Sequence, residues 1–202
     1  MKTAQKLSRQ ELFERTCKEM ETNGFEQKPL ILPAKKLNII AFLLIVPLLA
    51  VTIFLFLLRW NALLEKHPEI IAVTPMFFVC FLASIFIHEL IHGLTWSCFC
   101  PDRFHSIHFG FQLKTLTPYC HCAQPLKKFP YLLGTLMPCL ILGVGTYLLS
   151  LLIPNFSLAL FGAMNIAAAI GDLAISFLLI PQKDVLVVDH PTEPGLIAFF
   201  KA

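Results

Sequence analysis

The fold class is decided by residues 70–96, which read IIAVTPMFFVCFLASIFIHELIHGLTW. This stretch is apolar and long enough to cross a membrane, since about 20 apolar residues span the hydrocarbon core of a bilayer. Glu89 is the only Asp, Glu, Lys or Arg residue in it. A charged side chain at membrane depth costs at least about 2.5 kcal/mol, so such residues are usually paired and functional. The stretch therefore predicts a membrane helix that carries a site.

Three further stretches have the same character, at about 37–58, 131–153 and 156–180. Of the 202 residues, only 14% are charged, whereas soluble domains contain about 25%. This composition excludes a disordered chain and an ordinary soluble enzyme. It predicts an all-α membrane protein with four transmembrane helices.

The lysines and arginines predict the orientation of these helices. Fourteen of the sixteen lie in residues 1–36, 97–130 and 181–202, and the other two are Arg59 and Lys66. Because cytoplasmic segments are enriched in these residues, both termini and the loop 97–130 should be cytoplasmic. We therefore expect a multi-pass protein of the cell membrane. Its net charge of +3 reflects this topology, and we expect no nucleic-acid partner.

The predicted domain organisation has three parts. Residues 1–36 form a cytoplasmic tail with a short amphipathic helix, for which Ser8 and Glu11 make a capping box. Residues 37–180 form the four-span domain, and residues 181–202 form a cytoplasmic C-terminal tail.

The loop between the second and third spans is expected to contain a small β-hairpin. Ile107, Phe109 and Phe111 alternate with polar or small residues, and this period of two is typical of a strand. A second extended segment through Tyr119 would pair with it. Such a hairpin could bind an extended peptide by strand addition; alternatively, it is a structural connector.

The chemistry centres on residues 88–92, His-Glu-Leu-Ile-His. In this H-E-x-x-H pattern, His88 and His92 lie one helical turn apart on one face, where both can bind one Zn²⁺. Glu89 would then act as general base for the attacking water. Alternatively, the three residues are only polar helix residues with neighbouring partners, although such partners are scarce inside an apolar span.

Asp172 is the best candidate for a third zinc ligand, since it is the only other charged residue inside a predicted span. Counted from the cytoplasmic span ends, its depth matches that of the two histidines within about 6 Å, at 1.5 Å per helical residue. A structural hydrogen bond to another helix is the alternative. Asn165 precedes Asp172 by seven residues and is expected on the same helical face, where it could hold a substrate carbonyl or a ligand, or make an interhelical hydrogen bond. Ala163, Ala167 and Gly171 form a small-residue stripe beside it that predicts close helix packing.

These residues resemble a bacterial family of small membrane zincin-type peptidases of unassigned function. The similarity rests on HELIHG at 88–93, TPYCHC at 117–122 and the segment from Asn165 to Asp172. The family is in turn similar to site-2 type intramembrane zinc metalloproteases. The resemblance implies one zinc per chain, held by His88, His92 and Asp172, with Glu89 as catalytic base. The site-2 pattern has a proline between its Asn and Asp and a glycine after the Asp; here the proline is absent and Gly171 precedes Asp172.

The expected function is hydrolysis of peptide bonds in membrane or membrane-proximal proteins, and the expected partners are such a substrate and the lipid bilayer. Two alternatives are a non-proteolytic zinc-binding scaffold and, less favoured, a metal-ion carrier. A scaffold does not need Glu89, and a carrier needs a polar path that the first span does not offer.

Additional candidates lie in the cytoplasmic loop. Cys98, Cys100, Cys120 and Cys122 could form a second zinc site, although C-x-C spacing is tighter than usual. His121, between two cysteines, could stabilise an oxyanion; the simpler interpretation makes it a solvated loop histidine, like His105 and His108.

Overall fold

The computed structural model describes residues 9–112 and 117–201. Ser8 of the expected capping box therefore lies outside the described residues. The chain is mostly helical, with antiparallel strands at both ends and in the central loop. It divides into two compact units: one comprises residues 1–34, 93–134 and 175–202, and the other comprises residues 35–92 and 135–174.

The helices follow the apolar stretches of the sequence closely. In chain order the elements of the helical stretches are α2 (Ala34–Leu64), a 3-10 turn (Pro68–Ile71), α3 (Pro75–Ser97), α4 (Lys128–Pro138), a π-helical segment (Cys139–Gly145), α5 (Thr146–Ser150), α6 (Phe156–Ala168) and α7 (Ile170–Leu179). Within the described part of the chain, three helical stretches are long and apolar enough to cross a membrane: Ala34–Leu64, Pro68–Ser97 and Lys128–Ser150. The pair α6 and α7 is a fourth if it is counted as one span.

The fourth apolar stretch differs from the single helix predicted for it. α6 and α7 are bent by 46° where they meet at Ala169. The backbone of Ala169 leaves helical geometry, with φ −82° and ψ 7°. The break separates Asn165, on α6, from Asp172, on α7.

The unit that contains both tails is built around a four-stranded antiparallel sheet. The N-terminal tail supplies α1 (Arg9–Thr22) and β1 (Phe25–Ile31), and the later strands are β4 (Leu126–Lys127), β5 (Val185–Asp189) and β6 (Gly195–Lys201). Their order is β1-β6-β5-β4. The prediction of an all-α protein missed this sheet, because its strands come from segments that are distant in sequence.

Opposite faces of the sheet pack against different partners because successive strand residues point to opposite sides. Val188, Ile197 and Phe199 pack with Met20 of α1. Residues of the other face pack with the ends of the long helices, among them Trp96 and Leu179.

The predicted hairpin in the central loop is present. After a 3-10 turn (Arg103–Ser106), β2 (Ile107–Gln112) pairs antiparallel with β3 (Thr117–Cys122). It packs on α3 at Gly93, where an added Cβ would lie 2.9 Å from Ile107 Cγ2 and 3.1 Å from Cys120 Sγ. A glycine directly after His92 therefore lets the hairpin approach the helix.

The second unit is a helical bundle held by a few polar anchors. The Tyr147 hydroxyl donates to the carbonyl of Thr52 at 2.7 Å, and Trp60 Nε1 donates to the carbonyl of Ser150 at 3.0 Å. Both bonds join α2 to the α5 region, where Phe56 and Ala159 are buried.

Candidate metal centre

Two histidines of α3 form one side of the site. His88 and His92 are separated by one helical turn, and their ring centroids are 4.8 Å apart with nearly perpendicular planes, at 74°. His92 is buried and His88 is half-buried. The helix therefore places two imidazoles side by side, as the spacing of four residues requires.

Asp172 of α7 completes the cluster from a second helix. Its Oδ2 lies 2.9 Å from His88 Nε2 and 3.6 Å from His92 Nε2. The three candidate ligand atoms all lie within 4.8 Å of one another. Within the described residues this is the only group of three or more His, Cys, Asp or Glu side chains close enough to hold one metal ion.

The donor chemistry of this cluster fits zinc. Imidazole nitrogen and carboxylate oxygen are both common zinc ligands, and hydrolytic zinc sites use three protein ligands with one position left for water or substrate. All three side chains belong to the same compact unit. The His88 and Asp172 atoms lie at hydrogen-bond distance, so the carboxylate has a polar partner among the apolar helices.

Glu89 follows His88 on α3 and is half-buried. Successive helical residues are about 100° apart around the axis, so its side chain leaves the helix beside the histidine face and not on it. It is therefore adjacent to the cluster in sequence and is not one of its three members.

Asn165 is oriented differently from the prediction based on an unbroken helix. Its side chain is 2% exposed, and Nδ2 donates to the carbonyl of Phe161 in its own helix at 2.9 Å. The bend at Ala169 removes the regular spacing of seven residues on which a common face with Asp172 depended. No described contact joins Asn165 to the histidine–aspartate cluster.

The four loop cysteines do not gather into a second metal site in the described structure. Cys100 Sγ lies 3.4 Å from Cys122 Sγ, whereas Cys98 is exposed and its thiol donates to the carbonyl of Leu94. The hydrogen bond between the paired thiols lowers the pKa of Cys100, and it raises the pKa of Cys122 together with burial. The pair is therefore a thiol–thiol contact inside the core.

A second polar cluster was missed by sequence reasoning. His121 is only 2% exposed, which contradicts its interpretation as a solvated histidine. Its Nδ1 lies 3.2 Å from Asp189 Oδ2, and the Tyr131 hydroxyl donates to Asp189 Oδ1 at 2.9 Å. The sequence gives little indication of this cluster. Asp189 is the last residue of the apolar segment Val185–Asp189, and no sequence pattern predicts that this segment lies near His121 of β3.

An H-E-x-x-H helix whose two histidines meet a carboxylate from another helix is typical of zinc-dependent peptidases. The family model described as "Putative zincin peptidase" matches residues 81–185, which is more than half of the chain. The chain belongs to this family. The matched segment includes the H-E-x-x-H residues together with Asn165 and Asp172. No curated protein and no solved structure matches the chain.

Proposed function

We propose that this protein is a membrane-embedded zinc endopeptidase that cleaves membrane or membrane-proximal proteins. His88, His92 and Asp172 hold the metal, and Glu89 is the catalytic base. The observation that carries this proposal is the convergence of two imidazoles and a carboxylate, from two helices, among apolar segments. Membership of the zincin family supports the same reaction.

When bound, zinc supplies a Lewis acid that polarises the scissile carbonyl and makes water more acidic. The Glu89 carboxylate accepts a proton from the attacking water and delivers it to the leaving amine. The water oxygen first bonds to the carbonyl carbon, and the peptide C–N bond breaks once the nitrogen has received the proton from Glu89, so the products are a carboxylate and an amine.

Asn165 is retained as a candidate for binding the substrate carbonyl. An amide nitrogen carries two hydrogens, so the bond to Phe161 leaves one N–H for a substrate. This role would need movement at Ala169, where the helix is already broken.

The hairpin offers a way to hold a substrate in extended form. β2 and β3 form a two-stranded sheet, so each strand has one backbone edge outside the pairing. An extended peptide can add to such an edge through main-chain hydrogen bonds. This supports binding of an unfolded segment near the end of α3.

The test compares purified wild-type protein with Glu89→Gln and with Glu69→Gln, a control that removes an equal charge from an exposed residue. Each is supplied with zinc and a mixture of unfolded peptides, and new peptide ends are identified by mass spectrometry. Loss of general base catalysis should slow cleavage by about 10²–10⁴-fold in Glu89→Gln, while Glu69→Gln cleaves as the wild type does. Bound zinc should be equal in all three proteins.

Equal cleavage by Glu89→Gln would contradict the proposal. A wild-type protein that binds zinc and cleaves nothing, on peptides or on membrane-protein fragments, would favour the non-proteolytic scaffold.

A further inference from the structure

A basic cavity lies where two of the apolar helices end. It has a volume of about 700 Å³ and is bordered by the start of α4 and the segment that follows α7. Its charged lining residues are Lys127, Lys128, Lys183 and Asp184. Three positive charges therefore face one negative charge.

The two helix ends are held together at this cavity. Lys128 begins α4, and its Nζ donates to the carbonyls of Ile180 and Gln182, just beyond α7. Because these bonds join the beginning of α4 to the segment after α7, the cavity lies at one end of two candidate spans. By the distribution of lysine and arginine, this end is the cytoplasmic one.

Lys127 and Lys183 differ from Lys128 in that both are exposed. Within the described residues, no ion pair engages either ammonium group. Their charges are therefore available to a ligand, whereas that of Lys128 is used in joining the helices.

Exposed apolar side chains lie on both helices whose ends border the cavity. Phe129, a lining residue near the start of α4, is 70% exposed, and Phe177 of α7 is 77% exposed. A ligand that fits both parts has an anionic head and an apolar tail. Basic pockets between membrane helices on the cytoplasmic side are typical sites for anionic lipid headgroups.

We propose that this cavity binds the phosphate headgroup of an anionic glycerophospholipid, with Lys127 and Lys183 as its cationic contacts. The acyl chains lie along Phe129 and the exposed face of α7. This site depends on insertion of the helices into a membrane and is independent of the proposed peptidase chemistry.

Native mass spectrometry of the full chain in neutral detergent tests the proposal. The probes are dioctanoyl phosphatidylglycerol, dioctanoyl phosphatidylcholine and glycerol 3-phosphate, which separate an anionic lipid from a zwitterionic lipid and from a free phosphate ester. We expect the wild type to retain phosphatidylglycerol in preference to the other two. In Lys127→Gln/Lys183→Gln this binding should weaken by about tenfold or more.

Lys18→Gln/Lys28→Gln is the matched control, since it removes two exposed lysines from α1 and β1. It should bind as the wild type does. Equal retention of the two lipids by the wild type, unchanged binding in the Lys127/Lys183 variant, or an equal loss in the control would overturn the proposal. Binding of glycerol 3-phosphate as strong as that of phosphatidylglycerol would assign the cavity to free phosphate esters instead.

Discussion

At the scale of single residues, the central group is the Asp172 carboxylate, with imidazole nitrogens at 2.9 and 3.6 Å. A carboxylate among apolar helices needs a nearby positive charge or a proton donor. A protonated histidine or a metal ion can supply that charge. They are alternatives, because a nitrogen that binds a metal has no proton to donate. A metal ion bound by the two histidines would therefore also compensate the Asp172 carboxylate.

The buried His121 provides a prediction about stability. Replacement by alanine removes the contact between His121 and Asp189 Oδ2, while the hydrogen bond from the Tyr131 hydroxyl to Oδ1 remains. Losing this contact at the half-buried Asp189 should cost about 1–2 kcal/mol, so thermal unfolding of His121→Ala in neutral detergent should occur at a lower temperature. Tyr131→Phe should cost about 1 kcal/mol.

His67→Ala is the control for this measurement. His67 is exposed, and the described interaction of its side chain is with Glu69; exposed pairs contribute about 0–1 kcal/mol. If His121→Ala unfolds at the wild-type temperature, the cluster around Asp189 has no structural role.

The sequence predicts the relative positions of site residues where these depend only on helix geometry. The spacing of His88 and His92 places their rings together in any α-helix. The number of residues from the predicted span end places Asp172 at the same membrane depth as the two histidines. The position of Asn165 could not be predicted in this way, because no proline near Ala169 indicates that the helix bends there. His121 could not be placed because its partner lies 68 residues away.

At the scale of elements, α6 and α5 approach each other closely at Gly162. A Cβ there would lie 2.5 Å from the backbone nitrogen of Tyr147. A backbone atom cannot rotate away, so Gly162→Ala should destabilise the bundle by about 1–3 kcal/mol, despite the better helix propensity of alanine. The change is measured by unfolding in detergent.

Gly171→Ala is a matched control, since the nearest atom to its added Cβ is Leu37 Cδ2 at 3.9 Å. It should be neutral or slightly stabilising because alanine favours helix. An equal loss of stability in both variants would show that helix packing at Gly162 is not the cause.

The same positions show what sequence can indicate about helix packing. The stripe of Ala163, Ala167 and Gly171 predicted one face for close approach, and Ala163 is indeed fully buried. Close approaches to the backbone of another helix, however, are found at Gly162, next to Tyr147, and at Gly143, next to Ile166. Small residues identify candidates for close approach, but the choice between adjacent faces depends on the partner helix.

At the scale of the whole molecule, the four-stranded sheet constrains the topology. β1 precedes α2, β4 precedes α4, and β5 and β6 follow α7. Strands of one sheet lie on the same side of a membrane. The number of crossings between β1 and β4, and between β4 and β5, must therefore be even. This supports four spans, with α6 and α7 together forming one.

Reporter fusions test this topology. Because the seven paired positions of β1 and β6 hold the two tails together, fusions at either terminus should report the same compartment. The lysine and arginine distribution predicts that this compartment is the cytoplasm. A fluorescent protein should therefore fold at both ends, and an exported phosphatase should be inactive at both. A reporter inserted after Lys66 should give the opposite pattern, and different compartments for the two termini would contradict the topology.

The most direct test of the central claim is the zinc content of purified protein, measured by atomic emission for the wild type, His88→Ala, Asp172→Ala and the control His67→Ala. Removing one ligand of a three-ligand site typically leaves too few protein donors for stable binding. We predict about one zinc per chain in the wild type and the control, and loss of zinc in both site variants, with helical circular dichroism unchanged. A folded Asp172→Ala protein that keeps one zinc per chain would contradict the proposed centre.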